Sequence, residues 1–428
     1  MKNKVIKRFK KAVCTVLCAA LALGAFSVTT GGAPEIVRAA EYGYDEYGAP
    51  IVTATPAPPA HTEFYDLAPD SDSITEWPKG PKIEAESAIL MELNTGAVLY
   101  SKNADKAQFP ASITKIMTTL LACEHLDMNG KITMSQSAAY GISESQSSSI
   151  YADTGEEFTM EQAIMAVMLQ SANEMTLALA EATSGSVKKF VELMNLKARQ
   201  LGCTNTHFNN PNGLPDEMHY TTARDMAKIA QAAWQNPTFR KFATTTYYEI
   251  PPTNKFAETR YLLNHHKMMK GGAYAYNGVQ GGKTGYTEAA GNTLVTYAKR
   301  GKLQLVSVVL KSVNGAYSDT AALLDYGFNN FTRTAVKTDP AEIATKALPA
   351  EKYLLKDYAN HVIFKRTQTP SVTLPNGIGV DRLTPVRRLK KNPAGLPLLD
   401  ITYNFNGYQV GTARYYQQSL LSDWLIAG

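Results

Sequence analysis

Apolar positions alternate along some stretches of this chain and recur every three or four residues along others, and the switches between the two periods mark out its elements. Ser87-Ala-Ile-Leu-Met-Glu-Leu and Ala97-Val-Leu-Tyr are β-like runs separated by Asn94-Thr-Gly, which predicts a hairpin. After Pro110 the apolar residues Ile116, Met117, Leu120 and Leu121 take helical spacing, and a long helical zone from Met160 to Ala182 contains the apolar run Ala163 to Leu169. Strand texture returns between Gly281 and Tyr297 and again in Leu303-Gln-Leu-Val-Ser-Val-Val-Leu-Lys311; a helix from Thr320 to Tyr326 closes this part near Asn330. Strands, then helices, then strands predict an α+β body over 82–331, an antiparallel sheet with helices and an inserted helical lobe. Past Arg333 short runs such as Val362-Ile-Phe and Ser371-Val-Thr-Leu, with Pro375-Asn-Gly as a turn, predict a small β-rich C-terminal domain over 332–428.

The two ends of the first eighty residues differ from this body. Lys2, Lys4, Lys7, Arg8, Lys10 and Lys11 precede an apolar run from Ala12 to Val28 and then small residues up to Ala39 and Ala40, the pattern of a secretory signal peptide over 1–39. Retained instead of cleaved, the run would be a short N-terminal membrane anchor. From 40 to 81 the chain is rich in Pro, Asp, Glu, Tyr and Ala without apolar periodicity, as in Ala54-Thr-Pro-Ala-Pro-Pro-Ala, and reads as a flexible spacer.

Charge follows the same division. The whole chain carries +5, but residues 1–39 hold seven basic residues against the single acid Glu35, so the cleaved chain is near −1 and nothing points to nucleic acid. The cluster Arg387, Arg388, Lys390 and Lys391 reads as a solvated face. Of four cysteines only Cys123 and Cys203 lie beyond the signal segment, and their spacing leaves a disulfide open. The seven histidines form no metal-spaced motif, so neither zinc nor any other cofactor is expected; His265 and His266 read as solvent-facing loop residues.

Three short motifs carry chemistry. Ser112-Ile-Thr-Lys115 sits at the head of the helix that Pro110 starts, so an amine and a hydroxyl three residues apart share a face. A lysine deprived of water or placed near another cation can be neutral enough to take the serine proton. Ser171-Ala-Asn173 sets a hydroxyl and an amide at the end of the apolar helix, suited to relaying a proton and holding a substrate amide. Lys283-Thr-Gly285, after Gly281-Gly282 on a strand, offers a cation and a hydroxyl to a carboxylate, with Gly285 letting a substrate backbone approach. Each is weak alone. Ser186-Val-Lys-Lys189 and Ser312-Val-Asn314 repeat two of the spacings and read as a surface helix and a loop.

Order and separation, roughly sixty and one hundred and ten residues, make the conjunction specific. With Phe109-Pro-Ala-Ser-Ile-Thr-Lys-Ile-Met-Thr, Asn210-Pro-Asn-Gly-Leu, His219-Tyr-Thr-Thr-Ala-Arg-Asp225 and Gly281-Gly-Lys-Thr-Gly-Tyr-Thr287, the chain resembles the D-alanyl-D-alanine carboxypeptidases among the low-molecular-mass penicillin-binding proteins from about Ser87 to Phe328. The resemblance implies a serine hydrolase outside the cell, acting on peptidoglycan stem peptides that end in D-Ala-D-Ala and acylated by β-lactams, with peripheral or N-terminal membrane association as a further expectation. It implies Ser112 as nucleophile, Lys115 as its base, Ser171 and Asn173 as the second element, Lys283 and Thr284 as carboxylate receptors, and the amides of Ser112 and Tyr286 as the oxyanion hole. It also implies that His219 is a structural hydrogen-bonding residue. A β-lactamase, a transpeptidase and a penicillin-binding wall module without turnover are the rival readings; no glutamate motif for rapid deacylation is evident. Tyr317 stands near where relatives frequently place an arginine.

Overall fold

The computed structural model describes residues 42–44, 50–52, 61–142, 148–313, 315–337, 364–365, 369–391 and 397–417. The signal segment and Val362-Ile363 lie outside them. Residues 1–60 and 61–428 are two units. In the first, β1 (Tyr42–Tyr44) and β2 (Pro50–Val52) pair antiparallel.

The larger unit begins with a segment expected to be spacer. Residues 61–81 are instead fastened to the body: Trp77 Nε1 donates to the Leu99 carbonyl at 2.8 Å, and Lys102 Nζ donates to the Phe64 carbonyl at 2.6 Å. The indole packs against Phe331 and Tyr408, centroids 5.1 and 5.4 Å away. One large aromatic supplies the burial that the proline-rich composition hides.

Then follow β3 (Ser87–Glu92), β4 (Val98–Lys102), a single 3₁₀ turn Ala111–Thr114 and α1 (Lys115–His125). The helical lobe holds β5 (Lys131–Thr133), α2 (Gln136–Tyr140), β6 (Glu157–Thr159), α3 (Met160–Leu169), α4 (Asn173–Ser184), α5 (Val187–Gln200), α6 (Ala223–Gln235), α7 (Pro237–Ala243), β7 (Tyr247–Ile250) and β8 (Arg260–Leu263). The chain returns to the sheet with β9 (Val279–Thr287), β10 (Gly291–Arg300) and β11 (Leu303–Ser312), and α8 (Ala316–Asn330) closes the body.

The main sheet has the order β4-β3-β11-β10-β9, every neighbour antiparallel. It is buried on both faces, which explains the nearly unbroken apolar run of β11. Ile89, Met91, Val306, Val308 and Leu310 join the core under the lobe helices, while Ala88, Leu90, Leu305 and Val309 join a second core with Leu323 and Leu324 of α8. That second core continues into the C-terminal strands, since it includes Trp77, Phe331, Val372, Leu374, Ile401, Tyr403 and Tyr415. The C-terminal strands are β12 (Phe331–Ala335), β13 (Phe364–Lys365), β14 (Ser371–Pro375), β15 (Thr384–Lys391), β16 (Pro397–Phe405) and β17 (Tyr408–Gln417), and the core residues come from β12, β14, β16 and β17. β12 pairs with β14, and β13-β17-β16-β15 make a four-stranded sheet. The fold is thus an α+β body with a β-rich C-terminal region, and the two share the second apolar core.

Cys123 and Cys203 are both free thiols, and burial pushes each up to about 12. No helix among the described residues is long and apolar enough to cross a membrane. No cluster of three or more His, Cys, Asp or Glu among them could hold a metal ion.

Candidate functional site

Pro110 and Ala111 aim the first motif. Ala111 lies in the left-handed region at φ +50, and the turn it begins runs straight into α1 at Lys115. The strained residue is braced by Gly213, where a Cβ would fall 1.9 Å from the Ala111 carbonyl oxygen. The Asn210-Pro-Asn-Gly segment is therefore a backbone clamp on the serine turn.

Lys115 is wholly buried, and its Nζ has three polar neighbours: Ser112 Oγ at 2.9 Å, Asn173 Oδ1 at 2.7 Å and the Asn212 carbonyl at 2.7 Å. A neutral amine has two N–H donors and one lone pair. The amide oxygen and the carbonyl can only accept, so they take the two protons and leave the lone pair facing the one partner that can donate, the Ser112 hydroxyl. Burial holds the amine well below its ordinary range, the charge of Lys283 pushes the same way, and Glu174 opposes both.

Ser171 falls where the predicted long helix breaks. α3 ends at Leu169, Ser171 adopts φ +60, and Asn173 opens α4, with its amide donating to the Ser148 carbonyl at 2.9 Å. The break turns Ser171 into the cleft, while its Oγ is buried without a hydrogen-bond partner. Such an orphan hydroxyl is costly unless a ligand completes it.

The third motif lies on β9. Lys283 is buried, donates to the Thr284 carbonyl at 3.0 Å, and is brought down to about 7 by burial. Thr284, Gly285 and Tyr286 line the cleft with Ser112 and Ser171; Lys283, Lys115 and Asn173 sit behind its floor. A Cβ on Gly285 would lie 2.4 Å from Thr293 Oγ1 and 2.8 Å from the Ser112 nitrogen, so only glycine lets the strand approach the serine turn. Thr293 on β10 ties the two together by donating to the Pro110 carbonyl at 2.8 Å. Gly285→Ala is expected to push β9 off the turn and slow acylation of Ser112 by about a hundredfold, the cost typical of a shift near 1 Å. Rates of adduct formation with a fluorescent penicillin, beside a thermal melt, measure it.

All eight sequence-predicted residues thus meet around one cleft of about 270 Å³. Sequence reading did not single out Asn212, Ser148 or Thr293, which act through a carbonyl or a distant contact. Tyr317, which stands near where relatives frequently place an arginine, lines the cleft and stacks on Tyr274, centroids 4.7 Å apart. His265 is exposed on the rim as expected, but His266 is buried with Nε2 2.9 Å from Thr296 Oγ1, because the loop folds back over β10. Burial holds it down to about 4. His219 is fixed as a neutral ring: its Nδ1 accepts from the Asn209 amide at 2.9 Å, so Nε2–H donates to Thr114 Oγ1. Of the look-alike motifs, Ser186 caps α5 by accepting from the Lys189 amide.

A sequence profile described as D-alanyl-D-alanine carboxypeptidase matches residues 74–314, more than half of the chain. DacF of Bacillus subtilis, a D-alanyl-D-alanine carboxypeptidase, is 38% identical over 252 residues, 58% of this chain and 63% of that one. The D-alanyl-D-alanine carboxypeptidase of Streptomyces sp. K15 is 33% identical over 258 residues, 58% of this chain and 88% of that one. Among solved structures, the Streptomyces K15 DD-transpeptidase superposes with TM-score 0.56 at 30% identity, covering 59% of this chain and 100% of its own. Penicillin binding protein 5 from Haemophilus influenzae gives 0.61 at 26% identity over 80% of this chain and 98% of that one.

Proposed function

Since the chain belongs to the D-alanyl-D-alanine carboxypeptidase family, we propose that it removes the terminal D-alanine from peptidoglycan stem peptides through an acyl-enzyme on Ser112. The observation that carries this reading is the Lys115 amine, with two acceptors for its N–H groups and its lone pair left for the Ser112 hydroxyl. The serine proton passes to Lys115 as Oγ attacks the carbonyl carbon of the penultimate D-alanine. The amides of Ser112 and Tyr286 receive the oxyanion. As the bond breaks, Ser171 relays a proton from Lys115 to the departing nitrogen, and D-alanine leaves. Water then attacks the ester and gives its proton to Lys115, which passes it to the Ser112 Oγ as the acyl bond breaks. Penicillins take the first half of this path and remain as the ester.

Asn173 holds the substrate amide, and the terminal carboxylate meets the Thr284 hydroxyl over Lys283. An amine poised near 7 is only partly charged in the empty cleft, and an arriving anion draws it toward the charged form. Residues 1–39 serve as the export signal, the catalytic domain occupies 82–331, and the enzyme works outside the cell against the wall, free or membrane-associated.

Incubating the mature chain with a D-Ala-D-Ala pentapeptide should release one D-alanine per peptide. Peptide mapping after penicillin treatment should place the adduct on the fragment holding Ser112. No release, or an adduct on another serine, sinks the proposal.

A further inference from the structure

Glu174 follows Asn173 on α4, is 4% exposed and belongs to none of the three motifs. Its Oε1 accepts from Ser149 Oγ at 2.8 Å and from the Ile150 amide at 2.7 Å. One residue earlier, the Ser148 carbonyl accepts from the Asn173 amide. Residues 148–150 are thus bound to the first two residues of α4, and Ser148 is part of the cleft wall. Its other oxygen, Oε2, is buried without a partner. A buried carboxylate satisfied on one side only keeps a strong local field.

Charge reaches Lys115 from several elements. Lys283 on β9 disfavours its cation and Glu174 on α4 favours it; His219, bonded to Thr114 at the head of α1, is neutral near pH 7. Burial and Lys283 weaken the amine's hold on a proton and Glu174 strengthens it, and a general base works best when its affinity matches the working pH.

We infer that Glu174 is a positioning residue: its carboxylate pins the 148–150 wall of the cleft to α4 and counterweights Lys283, setting how readily Lys115 accepts the Ser112 proton. This rests on Lys115 being the base of the proposed reaction. Two variants separate the two parts of the role. Glu174→Gln keeps size and an acceptor oxygen but loses the charge. Glu174→Asp keeps the charge and shortens the reach to the wall.

Loss of the negative neighbour lowers the proton affinity of Lys115, so its neutral form persists to lower pH. The acidic limb of the second-order penicillin acylation rate should therefore move down by about one pH unit in Glu174→Gln, the low end of what a nearby charge does. It should stay in place in Glu174→Asp, whose KM for a pentapeptide rises. A ¹⁵N-lysine NMR titration of Lys115 in the uninhibited enzyme should show the same ordering. Superposable limbs and titrations for wild type and Glu174→Gln overturn the inference, as does a limb displaced equally in both variants. Should the Gln variant not fold, a displaced limb in the Asp variant alone decides against it. A wild-type chain that never acylates refutes the proposed function instead, and the NMR titration still reads the Glu174–Lys115 coupling.

Discussion

Lys115→Arg is expected to lower the second-order rate of penicillin acylation by at least about a hundredfold, the usual contribution of a positioned proton acceptor. The reason is the match between donors and acceptors around Nζ. The neutral amine gives two N–H groups to Asn173 Oδ1 and the Asn212 carbonyl and has one lone pair for Ser112. A guanidinium has donors but no lone pair to offer, and it stays protonated at any working pH. It would also carry a permanent charge into a fully buried site beside Lys283, which costs stability as well as rate. For that reason Lys115→Met is measured alongside, since it fills the same space without charge. Both variants should lose acylation, and thermal melts separate the catalytic loss from the folding loss. A folded variant of either kind that acylates near the wild-type rate removes Lys115 as the base and makes Ser171 the next group to test.

The motifs were legible because their chemistry needs side chains at fixed local spacing, and their meeting in one cleft follows from the strand, helix and strand that carry them. What surrounds them was not legible. Asn212 contributes a carbonyl, which every residue type has, so no letter of the sequence announces it. Gly213 and Gly285 are read as turn or strand glycines until a distant backbone, Ala111 or Ser112, is seen against them. The continuous helical periodicity from Met160 to Ala182 concealed a three-residue break at Gln170, Ser171 and Ala172, which keep the pattern while Ser171 adopts φ +60 between the two helices. His266 was misread for a related cause: a loop residue becomes buried when its loop folds onto a sheet, and only the Thr296 contact reveals it.

Residues 61–81 depart furthest from what their composition suggests. Their composition is that of a solvated linker, and every motif residue lies inside 81–330. Packing argues otherwise. The Tyr326 hydroxyl donates to the Pro78 carbonyl at 2.8 Å, Arg382 grips Glu76 with two bonds of 2.7 Å, and Trp77 plugs the core shared by β4, β12 and β17. A fragment cut at 81 and 330 would expose Leu90, Leu99, Leu323 and Leu324 where Trp77, Val372, Leu374 and Tyr415 now cover that core.

Trp77→Ala in the mature chain is accordingly expected to cost about 3–5 kcal/mol, the range for emptying a buried aromatic position. For a body of this size that is a fall in melting temperature of about 10 °C. Its contacts at Leu99, Phe331 and Tyr408 include no cleft-lining residue, so acylation at 25 °C should stay within about twofold of wild type. The 81–330 fragment should melt far lower still, or not fold. Calorimetry and penicillin acylation rates on all three proteins test the point. A fragment as stable and as reactive as the full chain would return 61–81 to the status of a linker and make the shared core incidental.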